Sequence, residues 1–165
     1  HPAVFGAAGL ATESYRYLAD DRTSLDFSGM VEDLEGKTRP GDAVLLHACC
    51  HNPTGVDPTI DQWRRIAGVI REKRLLPLID FAYQGFGSGL EQDAAGLHAI
   101  LDANDEALVC TSFSKNFGLY SERVGALSLV AADRQQTIAA QSQLKKVVRS
   151  NYSNPPRHGL SLIHI

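Results

Sequence analysis

Cysteine, long apolar runs and blocks of like charge are all scarce in this chain, and each scarcity excludes something. Three cysteines, two of them adjacent (Cys49 and Cys50), cannot build a disulfide framework, which favours a reducing, cytoplasmic setting. No stretch is apolar for long enough to span a bilayer, and no charged-then-apolar leader opens the chain, so neither a membrane nor an export reading is supported. The 16 basic and 19 acidic residues are dispersed, leaving a net charge of −3 and no basic tract for a nucleic acid. Internal repeats and low-complexity tracts are missing too. What remains is a globular chain with small, metabolite-like ligands as its expected partners. It begins at His1 and ends in the apolar run 160–165, and both ends read as cuts in a longer protein.

Apolar runs of strand length alternate with segments of helical spacing. Strands are expected over 12–17, 43–48, 75–80, 107–113 and 126–130, with the second buried on both faces and Pro77 marking an edge or irregular position in the third. Helices are expected over 27–35, from Thr59 or Pro58 to about Lys73, over 94–103 and over 133–150, with a short helix or turn in the first ten residues. This alternation predicts an α/β fold with a mostly parallel sheet flanked by helices.

Three of the strands run into unusual chemistry. His51-Asn52-Pro53-Thr54-Gly55 follows the first of them, Asp80-Phe81-Ala82-Tyr83 ends the second, and Ser112-Phe113-Ser114-Lys115-Asn116 through Arg123 follows the third. Carboxyl ends of parallel strands are where open α/β sheets bind ligands. A lysine, a carboxylate, a phenol, an amide, a hydroxyl and a guanidinium on one edge suit pyridoxal 5'-phosphate. That cofactor needs an amine for its aldehyde (Lys115), a carboxylate for its pyridine nitrogen (Asp80), donors for its ring oxygen (Tyr83, Asn52) and phosphate ligands (Ser112, Arg123).

Two rival readings are weaker. A metal-binding module on His47, Cys49, Cys50 and His51 lacks the usual spacing within ligand pairs, and adjacent cysteines at a strand end should point apart. Gly85-Phe86-Gly87-Ser88-Gly89 does not have dinucleotide-binding spacing and reads as a flexible loop.

The three strand-end motifs, with Asn151-Tyr152-Ser153-Asn154-Pro155-Pro156 as a fourth, resemble the aspartate and aromatic amino acid aminotransferases among the class I, fold-type I pyridoxal phosphate enzymes. The resemblance runs from His1 to about Gly159. It implies a partial cofactor-binding large domain over 1–159, a tail over 160–165 of non-native character, and an absent amino-terminal part and small domain. It implies that Lys115 binds the cofactor and moves the substrate α-proton, that Asp80 and Tyr83 share the catalytic work, and that Asn52, Ser112 and Arg123 complete cofactor binding, with no metal. His1 and His47 match residues behind the acid. The activity implied is ping-pong, Schiff-base transfer of an amino group between an L-amino acid, aspartate or aromatic, and a 2-oxo acid such as 2-oxoglutarate, in a homodimeric cytoplasmic parent. The alternative is that a truncated piece of such an enzyme is inactive by itself.

Overall fold

In the computed structural model, which describes residues 1–164, the order of elements follows from local capping and from one shared core. Pro2 opens α1 (Pro2–Ala7), where its missing N–H costs nothing. Asp26 caps α2 (Phe27–Lys37) by accepting from the Gly29 N–H at 2.9 Å, and the helix runs past Gly36, the expected stop, to Lys37. After β1 (Ala43–His47), Thr59 and Gln62 form a reciprocal capping box at the start of α3 (Ile60–Lys73), which Arg74 ends in a left-handed conformation. Then come β2 (Leu76–Phe81), α4 (Leu90–Asp93), α5 (Ala95–Ala103), β3 (Ala107–Ser112) and β4 (Gly125–Val130). The chain continues with α6 (Arg134–Asn151), capped by Asp133, and α7 (Arg157–Ile163).

The sheet order is β1-β2-β3-β4, with β1, β2 and β3 mutually parallel and β4 antiparallel to β3. Helices α2, α3 and α5 cover one face. Met30 and Leu34 of α2, Trp63, Ile66 and Ile70 of α3 and Ile100 of α5 meet Val44, Leu46, Ile79, Phe81 and Val109 of the strands in a single core. Complete burial of each large aliphatic side chain there contributes roughly 1.5–3 kcal/mol. Beyond this core, α6 buries no residue among the described ones and packs against β4.

Four expectations need correction. Residues 12–17 form no strand; only Leu18 makes an isolated bridge, with Leu25. The segment is pinned instead by side chains, Tyr15 Oη donating to the Leu45 carbonyl (2.8 Å) and Tyr17 Oη to that of Val56 (2.6 Å), which produces the same alternating pattern as a strand. Strand β1 is not buried on both faces: Val44 and Leu46 face the core, whereas Leu45 and His47 are half-exposed. Pro77 stands at no edge, since β2 is an interior strand, but it does mark an irregular start, the other half of that expectation. The Leu76 N–H points to β1, bonding the Asp42 carbonyl, so the Pro77 nitrogen faces the β3 side, and there the pairing starts only at Leu78. The missing donor therefore leaves no gap in the ladder.

The fourth concerns the 85–89 segment, which is pinned as well as glycine-rich. Asp93 accepts backbone N–H bonds from Gly85 (2.8 Å), Gly87 (3.0 Å) and Ser88 (2.7 Å). Burial works against the Asp93 charge, but the N–H groups of Ser88, Gly87 and Gly85 outweigh it and hold the carboxyl below its ordinary range.

A second buried carboxylate ties the amino-terminal segment to α2. Asp33, only 5% exposed, accepts from the Arg16 backbone N–H (2.8 Å) and from its guanidinium (2.9 Å), with Lys37 at 3.2 Å. Hydrogen bonds from the Arg16 side chain and backbone hold the Asp33 carboxyl well below its ordinary range. The unfolded chain therefore binds this proton more readily, so the contribution is present above about pH 4 and is lost as pH falls further. Asp33→Asn should lower the melting temperature at pH 7 and flatten its decline between about pH 5 and pH 2 relative to wild type, measured by thermal melts across that range.

Packing between α3 and α5 makes a sharper demand. A Cβ on Gly96 would sit 2.5 Å from the Trp63 indole, which is itself buried in the core. Gly96→Ala should destabilise the fold by about 1–3 kcal/mol through overpacking, read from denaturant midpoints; a neutral result would mean that Trp63 moves freely.

Candidate active site

Parallel registration carries the chemistry to one edge. His47 pairs with Asp80 across β1 and β2, Asp80 with Cys110 across β2 and β3, and Ser112 with Gly125 across β3 and β4, so three strand ends and the start of β4 lie side by side. The loops bearing Asn52, Tyr83, Lys115 and Arg123 all leave or enter there.

Asp80 sits on the half-open face, and two histidines stand behind it. Its Oδ2 is 2.9 Å from His1 Nε2 and 3.9 Å from His47 Nε2. His47 Nδ1 accepts the Asn52 backbone N–H at 3.1 Å, which puts its proton on Nε2, the nitrogen facing Asp80. Among the described residues Oδ1 of Asp80 has no protein donor, so one carboxylate oxygen is fixed and the other is open.

His51 extends this stack. Its ring lies 4.6 Å from that of His47 and stacks on Tyr17 at 3.8 Å and 16°, while its Nδ1 pairs with Thr54 Oγ1 at 2.8 Å. Burial, and then the neighbouring His47, push the His51 imidazole below its ordinary value. Burial also pushes the Tyr15 phenol up to about 12, so it stays a donor to Leu45.

Lys115 Nζ lies 5.0 Å from the centre of the Tyr83 ring, and among the described residues no carboxylate is within ion-pair distance of its amine. The loop around it is built from turns: Gly118 donates to the Lys115 carbonyl at 3.0 Å with φ 66°, and Glu122 donates to Leu119 at 3.2 Å. Ser112 Oγ accepts the N–H of Ser114, which is buried, at 3.2 Å. Helix α7 braces the far side, with His158 Nδ1 2.9 Å from Glu122 Oε1; a Cβ on Gly159 would come within 2.8 Å of the Glu122 side chain. Arg123 is exposed and left-handed (φ 51°), and its guanidinium donates to the Tyr120 carbonyl at 3.0 Å.

The structure thus gathers Asp80, His1, His47 and the Asn52 backbone in one group, joined by two hydrogen bonds and the 3.9 Å His47–Asp80 approach, and Lys115 and Tyr83 in a second. Ser112 and Arg123 share their edge without touching either group among the described residues. Sequence reasoning missed Asp57 and Asp93, the carboxylates that anchor two of these loops. The only available signal was an acid a few residues beyond each Gly- or Pro-containing stretch.

The four residues of the rival metal module do not come together. Cys49 and Cys50 gather with Asp93, whereas His47 gathers with His1 and Asp80. The expectation that the adjacent thiols point apart is also wrong: Cys50 has φ 49°, a left-handed kink that swings its thiol to the same side as that of Cys49.

A family model described as aminotransferase class I and II matches residues 1–163. The chain belongs to this family. It is 52% identical to the aspartate aminotransferase of Escherichia coli (strain K12) over 163 residues, 99% of this chain and 41% of that protein. It is likewise 52% identical to a cytoplasmic aspartate aminotransferase of Oryza sativa subsp. japonica over 164 residues, 99% of this chain and 40% of that one. Among solved structures, the aromatic-amino-acid aminotransferase of Burkholderia pseudomallei, covalently bound to pyridoxal phosphate, superposes with a TM-score of 0.93 at 47% identity, over 96% of this chain and 40% of that one. This member of the family thus spans about two fifths of the length of the relatives it matches. The match agrees with the α/β fold expected from the sequence.

Proposed function

We propose that this chain carries the cofactor-binding centre of a pyridoxal phosphate-dependent aminotransferase. It would transfer an amino group between an L-amino acid, aspartate or aromatic, and a 2-oxo acid such as 2-oxoglutarate. The observation that carries the reading is a lysine amine above the Tyr83 ring, with no carboxylate partner among the described residues, on the same sheet edge as a carboxylate backed by two histidines.

The donor set fits the cofactor. Asp80 offers an open oxygen to the pyridine nitrogen, Asn52 and Tyr83 offer N–H and O–H donors to the ring oxygen, and Ser112 with Arg123 suits the phosphate. Bound there, pyridoxal phosphate supplies an electron sink that stabilises negative charge at the substrate α-carbon. The chain's own residues do the rest. Lys115 would hold the cofactor between turnovers and, once released, its amine would take the proton from the substrate α-carbon and hold it for return. His1 and His47 fix the direction of the Asp80 carboxylate, and Tyr83 limits where the Lys115 amine can swing.

Because the chain spans two fifths of its relatives' length, the activity is assigned to a protein of their length. A homodimer in the cytoplasm suits it: the relatives include a cytoplasmic enzyme, and the three cysteines stand unpaired. No helix among the described residues is long and apolar enough to cross a membrane.

The direct test uses the full-length protein with pyridoxal phosphate, offering aspartate, glutamate, phenylalanine and tyrosine with 2-oxoglutarate. Glutamate formation from at least one of the other three donors is expected, and failure with all of them overturns the reading. Lys115→Ala should cut turnover by more than about 10²-fold, the scale of a lost general acid–base group, and should abolish the cofactor absorbance that survives gel filtration of wild type. Asp80→Asn, which keeps the shape and removes the charge, should lower kcat with a smaller change in KM; an unchanged kcat would remove Asp80 from the chemistry.

A further inference from the structure

The kink at Cys50 assembles a second group of donors that the aminotransferase reading does not use. The Cys49 and Cys50 sulfurs and a carboxylate oxygen of Asp93 all lie within 4.8 Å of one another. Cys49 is buried at 7% exposure, Asp93 at 6%, and Cys50 is half-exposed, so the group is reached from the Cys50 side. Backbone N–H bonds from Gly85, Gly87 and Ser88 fix the Asp93 carboxylate, and Asp57 fixes the Cys50 and His51 N–H groups at 2.6 and 2.8 Å. The two sulfurs are therefore carried by an anchored loop and held beside a fixed carboxylate.

We propose that Cys49 and Cys50, with Asp93 beside them, form a chelating site for a thiophilic trivalent metalloid such as an organic arsenic(III) oxide. Two neighbouring thiols match a centre that takes two sulfur ligands at once, whereas the three donors gathered here fall one ligand short of a closed tetrahedral zinc site. The chemistry balances without a redox partner. Two S–H bonds break and two As–S bonds form, the oxide leaves as water with both thiol protons, and arsenic stays trivalent. Burial first, and then the nearby Cys50 and Asp93 charges, push the Cys49 thiol up, so a simple thiolate alkylation at this position is disfavoured. Exchange of protonated thiols with an arsenic oxide does not need that thiolate to persist, because both thiol protons leave with the oxide as water.

The test is titration of the folded full-length protein with phenylarsine oxide, counting residual thiols with a chromogenic disulfide. One equivalent should remove two thiols, and the adduct should resist excess monothiol but release to excess 2,3-dimercaptopropanol. Cys110→Ser should leave this behaviour intact. Cys49→Ser, Cys49→Ala and Cys50→Ser should each abolish the monothiol-resistant adduct, with circular dichroism matching wild type; the alanine variant keeps an apolar group at the buried position should serine unfold it. A wild-type protein that loses no thiols, an adduct that survives in the Cys49 and Cys50 variants, or one that vanishes with Cys110→Ser would each overturn the proposal.

Discussion

Registration of β2 between β1 and β3 is the constraint on which everything else in the molecule depends. Ile79 and Phe81 point into the core under α3 and α5, so Asp80, between them, must point to the half-open face. A slip by one residue would send Asp80 into an apolar core and expose two of the best-buried side chains, a reversal that the sheet cannot tolerate. The same register places His47 beside Asp80 on one side and Cys110 on the other. Hydrophobic burial, which is indifferent to chemistry, thereby fixes the position of the one carboxylate on which the proposed chemistry turns.

Beyond the strand ends, apolar packing gives way to another kind of anchoring. Each loop on this edge is held by backbone N–H groups converging on a side-chain oxygen: Asp57 for residues 50 and 51, Asp93 for 85–88, Ser112 for Ser114. Bonds from N–H to a carboxylate are charge-assisted and individually worth about 1.5–3 kcal/mol. Loops so pinned present their functional side chains from a stiff frame, while Lys115 and Arg123 pair with no carboxylate among the described residues. Helix α7 continues the pattern through Glu122 and His158, reaching the Lys115 loop from much later in the chain. Preorganised backbone with uncommitted cations is the arrangement that anion-bearing ligands reward.

How much of this could be read from the sequence follows from the range of each interaction. Strands β1, β2 and β3 were legible because short apolar runs stand between Gly, Pro and Asp, and the lysine after β3 was legible because it interrupts such a run. The cap at Asp26 and the box at Thr59 and Gln62 act over three residues and could be anticipated. Contacts between distant positions could not. His1 reaches Asp80 across 79 residues, and only family resemblance pointed to that pairing. Residues 12–17 show the opposite failure. Their alternation reports burial of Tyr15 and Tyr17 against the core, and an extended segment pinned by side chains has the same period as a strand paired by backbone.

The left-handed conformation at Cys50 shows how one local choice can serve two ends. A non-glycine residue there costs about 1–2 kcal/mol, and cysteine has no short polar side chain to ease it. The two N–H bonds to Asp57, from Cys50 and from His51, more than offset that cost at about 1.5–3 kcal/mol each. Once the chain turns there, the His51 ring is delivered to Tyr17 and His47 behind the Asp80 carboxylate, and the two thiols are delivered together to Asp93. A straight continuation of β1 would send alternate side chains to opposite faces and could do neither. The turn that supports the histidine stack thus also brings the vicinal thiols together.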